Sequence, residues 1–284
     1  MTVAFVLSGG GSLGAVQVGM LQALADHGIH PELIIGTSVG ALNGVFLAAQ
    51  SSREGLAILE GIWRSLRRSD VFPMGPLQGA LGYYGLRNWL VRPASLEKLV
   101  RDHIRFERLE DAPVPFHVVA TDLLSGTEVL LSKGETVSAV LASSAIPGVF
   151  PPVEIEGRAL VDGGVADNTP IAHARRLGAD TIYVLPAGYA CTLDHAPKSA
   201  LGVALQALTI LIGRGLAWDI ERFDGTYALR VVPPLCPLDV APTDFSRSPE
   251  LLQRAYESTQ AWLKDPQGAD PFAQLHGLRP HEHQ

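Results

Sequence analysis

Leu33-Ile34-Ile35-Gly36-Thr37-Ser38-Val39-Gly40-Ala41 is the stretch from which the rest of the chain can be read. An apolar run enters G-x-S-x-G, and residues 39–49 continue with helical spacing, so the pattern is strand, sharp turn, helix. Such a turn lifts the hydroxyl of Ser38 out of the sheet, and Gly36 and Gly40 remove the side chains that would crowd it. Ala41 and Gly44 keep the following helix slim. The plainer reading makes Ser38 only the N-cap of that helix. Both readings put a strand end and a helix start at residue 38.

Upstream, residues 3–7 form a short apolar strand before Gly9-Gly10-Gly11-Ser12-Leu13-Gly14, and Leu13, Val16, Met20 and Leu24 then recur at helical spacing until Gly28. A glycine loop between strand and helix points successive backbone N–H groups into one concavity, an anion cradle. The same letters satisfy G-x-G-x-x-G, but a dinucleotide site needs an acidic residue at the end of the second strand. That strand ends in Gly36-Thr37-Ser38, with Glu32 at its other end, so a dinucleotide-binding oxidoreductase is the weaker alternative. A nucleophile on one strand end beside an N–H cradle on another suits acyl transfer.

Further strands are predicted at 116–121, 128–131, 158–161, 181–185 and 226–232. Helices are predicted at 53–67, 95–103, 170–177, 199–222 and 249–263, the last capped by Ser248 before Pro249. The order predicts an α/β fold, a three-layer α/β/α arrangement around a mainly parallel sheet. Residues 1–264 read as a single domain. Within it, 69–93 is an irregular, lid-like or groove segment whose Phe72, Met74, Tyr83, Tyr84 and Trp89 either line an acyl groove or anchor a loop; 265–284 reads as a loosely docked tail. Residues 199–213 carry no charge but fall short of a membrane span, so they read as a buried helix, with the helix 199–222 lying against a lipid surface as the weaker alternative.

The candidate base is Asp162. Ser38 comes too early for an ordinary α/β-hydrolase, and His103, His117, His173, His195 and His276 avoid glycine-punctuated strand ends. Asp162-Gly163-Gly164 stands where the strand 158–161 ends, although Asp-Gly is also a common turn pair.

Composition narrows the classes. With 284 residues, 47% hydrophobic and 18% charged, the chain folds; its net charge of −7 disfavours nucleic acid as a partner. Cys191 and Cys236 read as isolated core thiols, and His281-Glu282-His283 as no more than an adventitious metal binder. The start of the sequence lacks a basic n-region, so a cytoplasmic protein is expected.

Together the loop Gly9–Gly14, the elbow Gly36–Gly40, the segment Ala142–Pro152 and Asp162-Gly163-Gly164 with Asp167-Asn168-Thr169-Pro170 resemble the patatin-like phospholipase family, in the family's order. The resemblance spans Val3 to Leu185. It implies a Ser–Asp dyad, Ser38 as nucleophile and Asp162 as proton acceptor, and an oxyanion hole from the backbone of Gly9, Gly10 and Gly11. Gly14, Gly36, Gly40, Gly163 and Gly164 support these parts. No metal or cofactor is implied. The substrate implied is an acyl ester of phospholipid, lysophospholipid or neutral lipid, with peripheral membrane contact and no indication of oligomeric state. One departure is Leu13, where the family commonly has Arg or Lys; Arg87 and Arg92 read first as solvent-exposed arginines and only second as alternative sources of charge, and a nonenzymatic lipid-binding or regulatory protein of the same fold is the alternative that Leu13 favours. The net charge makes docking local and apolar, so an exposed apolar rim is expected near Ser38.

Overall fold

The structure, a computed structural model, describes residues 1–73, 88–189, 191–193, 195–265 and 268–278. Its main elements are β1 (Val3–Leu7), α1 (Gly14–Asp26), β2 (Leu33–Thr37), α2 (Val39–Ala49), α3 (Arg53–Ser65), α4 (Arg68–Val71), α5 (Ala94–His103), β3 (Phe116–Asp122) and β4 (Glu128–Leu131). They continue as α6 (Thr136–Ser143), β5 (Val153–Ile155), β6 (Arg158–Asp162), α7 (Ile171–Arg176), β7 (Thr181–Leu185), α8 (Ala200–Glu221), β8 (Ala228–Val231), α9 (Ser248–Lys264) and α10 (Leu275–Leu278). Among the described residues the strands form one eight-stranded sheet in the order β5-β6-β3-β2-β1-β7-β8, with β4 also paired to β3.

From β3 through β2, β1 and β7 to β8 the strands run parallel, as expected of strands joined by helical crossovers. Side chains alternate along them: Phe5 and Leu7 enter the larger core under α1, α2, α3 and α9, while Ala4 and Val6 enter a second core under α7, α10 and the end of α8. This is the expected α/β/α layering. The chain steps from β1 to β2 and β3 on one side and later returns as β7 on the other, so the carboxyl end of β1 is a topological switch point.

Close packing there depends on two glycines. A Cβ on Gly36 would stand 2.5 Å from the Gly40 carbonyl oxygen, and one on Gly40 would stand 2.1 Å from that of Leu7. The start of α2 therefore rests on the backbone of β1.

Several sequence expectations need correction. α8 is not a buried helix: its long apolar window, Gly202–Glu221, is only 22% buried, because beyond the core contacts of Leu216, Ala217 and Ile220 it runs along the surface. Arg247 rather than Ser248 is the N-cap of α9, and the buried Ser248 hydroxyl donates instead to the Phe245 carbonyl, 2.9 Å away. The cysteines are not isolated core thiols; Cys236 is exposed, and the neighbouring Cys191, after burial, helps raise its pKa. The described part of the tail is docked, with Pro271 and Leu278 buried. Met74, Tyr83, Tyr84, Arg87 and His281-Glu282-His283 lie outside the described residues.

Gly40→Ala is expected to destabilise the protein by about 1–3 kcal/mol or more, through overpacking. Gly61→Ala on the exposed face of α3, where an added Cβ meets nothing within 4 Å, is expected to stabilise it by about 0.5–1 kcal/mol. Thermal unfolding of the two variants checks both signs.

Candidate active site

Ser38 sits between β2 and α2 at φ 55°, ψ −123°, a left-handed conformation that a non-glycine residue adopts at a cost of about 1–3 kcal/mol. The surroundings fix it there. Its N–H donates to Ser143 Oγ (2.8 Å), and that hydroxyl donates in turn to the Val119 carbonyl (2.5 Å). Its carbonyl accepts the N–H groups of Ala41 and Leu42, at 2.9 and 3.2 Å.

Asp162 reaches Ser38 by a route that the sequence does not display. β6 is antiparallel to β3, so it enters at the carboxyl edge of the parallel strands and runs inward. Asp162 pairs with Ala120, next to the Val119 that pairs with Thr37. The carboxylate is thereby level with the elbow. The Ser38 hydroxyl donates to its Oδ2 at 2.6 Å, and the Gly164 N–H donates to its Oδ1 at 2.8 Å. Burial pushes the Asp162 pKa up to about 6, against the lowering pull of these two hydrogen bonds.

The glycine loop lines the same cleft as Ser38 and Asp162. The Gly9 N–H is already engaged, donating to Asn168 Oδ1 at 3.0 Å. Among the described residues, the N–H groups of Gly10 and Gly11 meet no protein acceptor. A buried relay holds the loop to the fold. Trp63 Nε1 donates to Asn43 Oδ1 (2.8 Å), Asn43 Nδ2 to Gln17 Oε1 (2.9 Å), and Gln17 Nε2 to the carbonyls of Ser8 (2.8 Å) and Leu185 (3.0 Å).

In chemical terms, a hydroxyl beside a carboxylate made more basic by burial can pass on its proton as Oγ attacks an electrophilic carbon. Unpaired N–H groups alongside can hold the charge that develops.

A family model described as patatin-like phospholipase matches residues 5–175. The chain belongs to the patatin-like phospholipase family. An NTE family protein of Mycobacterium bovis is 34% identical over 178 residues, 63% of this chain and 47% of that protein. A lysophospholipase of Aspergillus terreus is 28% identical over 233 residues, 75% of this chain and 13% of that protein. The chain thus spans less than half the length of either relative. The solved structure of VipD from Legionella pneumophila aligns at TM-score 0.48 and 16% identity, over 97% of this chain and 66% of that one.

In this patatin-like chain Leu13 is fully buried in the larger core, where a cation would be costly. Arg92 is exposed and away from the cleft lining. Among the described residues no histidine lines the cleft. His173 belongs to a separate cluster with Glu128 and Asp167, where burial and neighbouring carboxylates push the Asp167 pKa up to about 7. Arg176 lies within this cluster, 3.0 Å from Glu128 Oε1 and 3.1 Å from His173 Nδ1, so a protein cation already serves those groups.

A second cavity, almost wholly apolar, shares Gly11, Ser38, Phe72 and Ile146 with the cleft and extends between Leu42, Phe46, Leu59, Trp63, Phe150 and Phe245. Phe72 stacks on Phe150 with centroids 5.7 Å apart, and Trp63 on Phe245 at 6.1 Å. Of the aromatics the sequence singled out, Phe72 lines this cavity and Trp89 does not. The sequence reading gives no role to Ser143 or Asn168, although both lie in the quoted motifs, and of the residues it offers for an acyl groove only Phe72 is found in the lining of this cavity among the described residues.

Burial holds Asp162 protonated up to about 6, while the unfolded chain releases this proton near 3.8. Between these values the unfolded state binds fewer protons, so rising pH costs stability. The Tm of Asp162→Asn relative to wild type should therefore rise between pH 4 and 6 and then level off. A difference that stays flat across that range contradicts the assignment.

Proposed function

We propose that this chain is a serine acyl hydrolase that cleaves acyl esters of lipids. The observation that carries the proposal is the 2.6 Å hydrogen bond from Ser38 to the buried Asp162, beside two loop amides that meet no acceptor among the described residues. Ser38 Oγ attacks the ester carbonyl as Asp162 takes its proton, and Asp162 returns the proton to the leaving alcohol. Water then repeats the cycle on the acyl-enzyme. Gly10 and Gly11 donate to the oxyanion, while Gly9, tied to Asn168, fixes the loop. Membership of the patatin-like family and the printed name of the A. terreus relative, a lysophospholipase, support a lipid ester as substrate.

The apolar cavity beside Ser38 suits the acyl chain, leaving the polar part of the substrate in the open cleft. Leu13, the residue favouring a nonenzymatic reading, turns into the core and leaves the loop amides in place.

Ser38→Ala is expected to lower hydrolysis of p-nitrophenyl esters by at least about 10³-fold, and Asp162→Asn by about 10²–10⁴-fold. The carboxylate must be ionised to act, so wild-type kcat/KM should fall about tenfold per pH unit below the Asp162 pKa of about 6. Full activity in either variant overturns the proposal. Leu42→Trp, which fills the cavity, should depress turnover of p-nitrophenyl palmitate more than of the butyrate.

A further inference from the structure

Among the described residues, α8 is the one helix apolar and long enough by composition to cross a membrane, yet the fold prevents it from doing so. Leu216, Ala217 and Ile220 are packed into the second core, which fixes the carboxyl end of the helix to the sheet. The rest of the helix surface divides into two faces. Leu205, Leu208, Thr209 and Ile212 line the cleft that holds Ser38. The other face presents Val203 (51% exposed), Leu211 (67%) and Trp218 (57%) to solvent, with Ala207 and Ile210 between them. Residues 199–213 contain no charge, and the first is the exposed Arg214, one turn from Trp218.

We propose that this outer face of α8 seats the protein on a zwitterionic lipid surface, with the helix lying in the interface plane. The inference rests on the lipid hydrolase reading for its occupant. Apolar side chains over several turns, closed by a tryptophan and a snorkelling arginine, match the boundary between acyl chains and headgroups. The face is continuous with the cleft, since the same turns supply both, so docking brings Ser38 within reach of extracted lipid. At net charge −7 the chain gains nothing from long-range attraction to anionic lipid, which leaves apolar insertion as the means of attachment.

The test uses the full chain carrying Ser38→Ala, so that binding is read without turnover. It should float with phosphatidylcholine vesicles at low and high salt. Adding Leu211→Gln and Trp218→Gln should reduce the bound fraction at least about tenfold. In the wild-type background the same pair should leave fluorophosphonate labelling and hydrolysis of a dissolved short ester unchanged. If that pair impairs folding, Val203→Gln with Ala207→Gln serves instead, with the same expectation.

Three results overturn the docking proposal: no flotation, equal flotation of the variants, or flotation only with anionic vesicles that salt abolishes. A concentration-dependent dimer that the substitutions abolish, without vesicle binding, assigns the face to a second copy of the chain and also overturns it. Failure of docking with ester hydrolysis intact leaves the proposed function standing. Docking by Ser38→Ala alongside a wild type without esterase activity has the reverse meaning.

Discussion

Ser38 is held at a positive φ in the turn between a buried strand and a helix that rests on the neighbouring strand, and the arrangement around the cleft follows from that constraint. The conformation is intrinsically unfavourable, so it persists only because the surroundings over-determine it. Gly36 and Gly40 let the turn close against β1. Ser143, at the end of a helix contributed more than a hundred residues later, takes up the elbow's own N–H. That hydrogen bond engages the Ser38 amide within the protein, whereas the Gly10 and Gly11 amides meet no acceptor among the described residues.

Asp162 and the loop are held by equally buried devices. Asp162 is stripped of water on a strand that ends level with the elbow, and this desolvation makes it a stronger base than an ordinary carboxylate while costing folding stability as pH rises from 3.8 to about 6. The glycine loop is tied through Gln17, Asn43 and Trp63 to three helices and to β7, so its free amides have little freedom to rearrange. Buried polar networks of this kind stabilise only when every member is satisfied, and here each side chain of the relay has partners. Rigid positioning suits the proposed Ser38–Asp162 pair, since a carboxylate is a weak base for a hydroxyl.

The elbow and the loop were legible in the sequence because each is local: a strand, a few glycines and a helix written in consecutive residues. The parallel sheet followed from their alternation. Asp162 was found through its strand-end position, but the direction of β6 was hidden, because pairing with β3 is a long-range choice. Ser143 and Asn168 were hidden for the same reason, as their partners lie in the elbow and the loop. The apolar cavity draws Leu42, Trp63, Phe150 and Phe245 from separate segments, and no periodicity links them. The exposure of α8 depends on what covers the second face of the sheet. Hydropathy along one helix carries no information about that, so an apolar stretch reads as core whether or not anything covers it.

The most direct test is to trap the covalent intermediate. A long-chain p-nitrophenyl ester is mixed with the wild-type protein, the reaction is quenched in acid during turnover, and the digest is mapped by mass spectrometry. A mass gain equal to the acyl group on Ser38 is the predicted result. Turnover with the acyl group on another residue, or with no acyl adduct at any residue, would contradict the account.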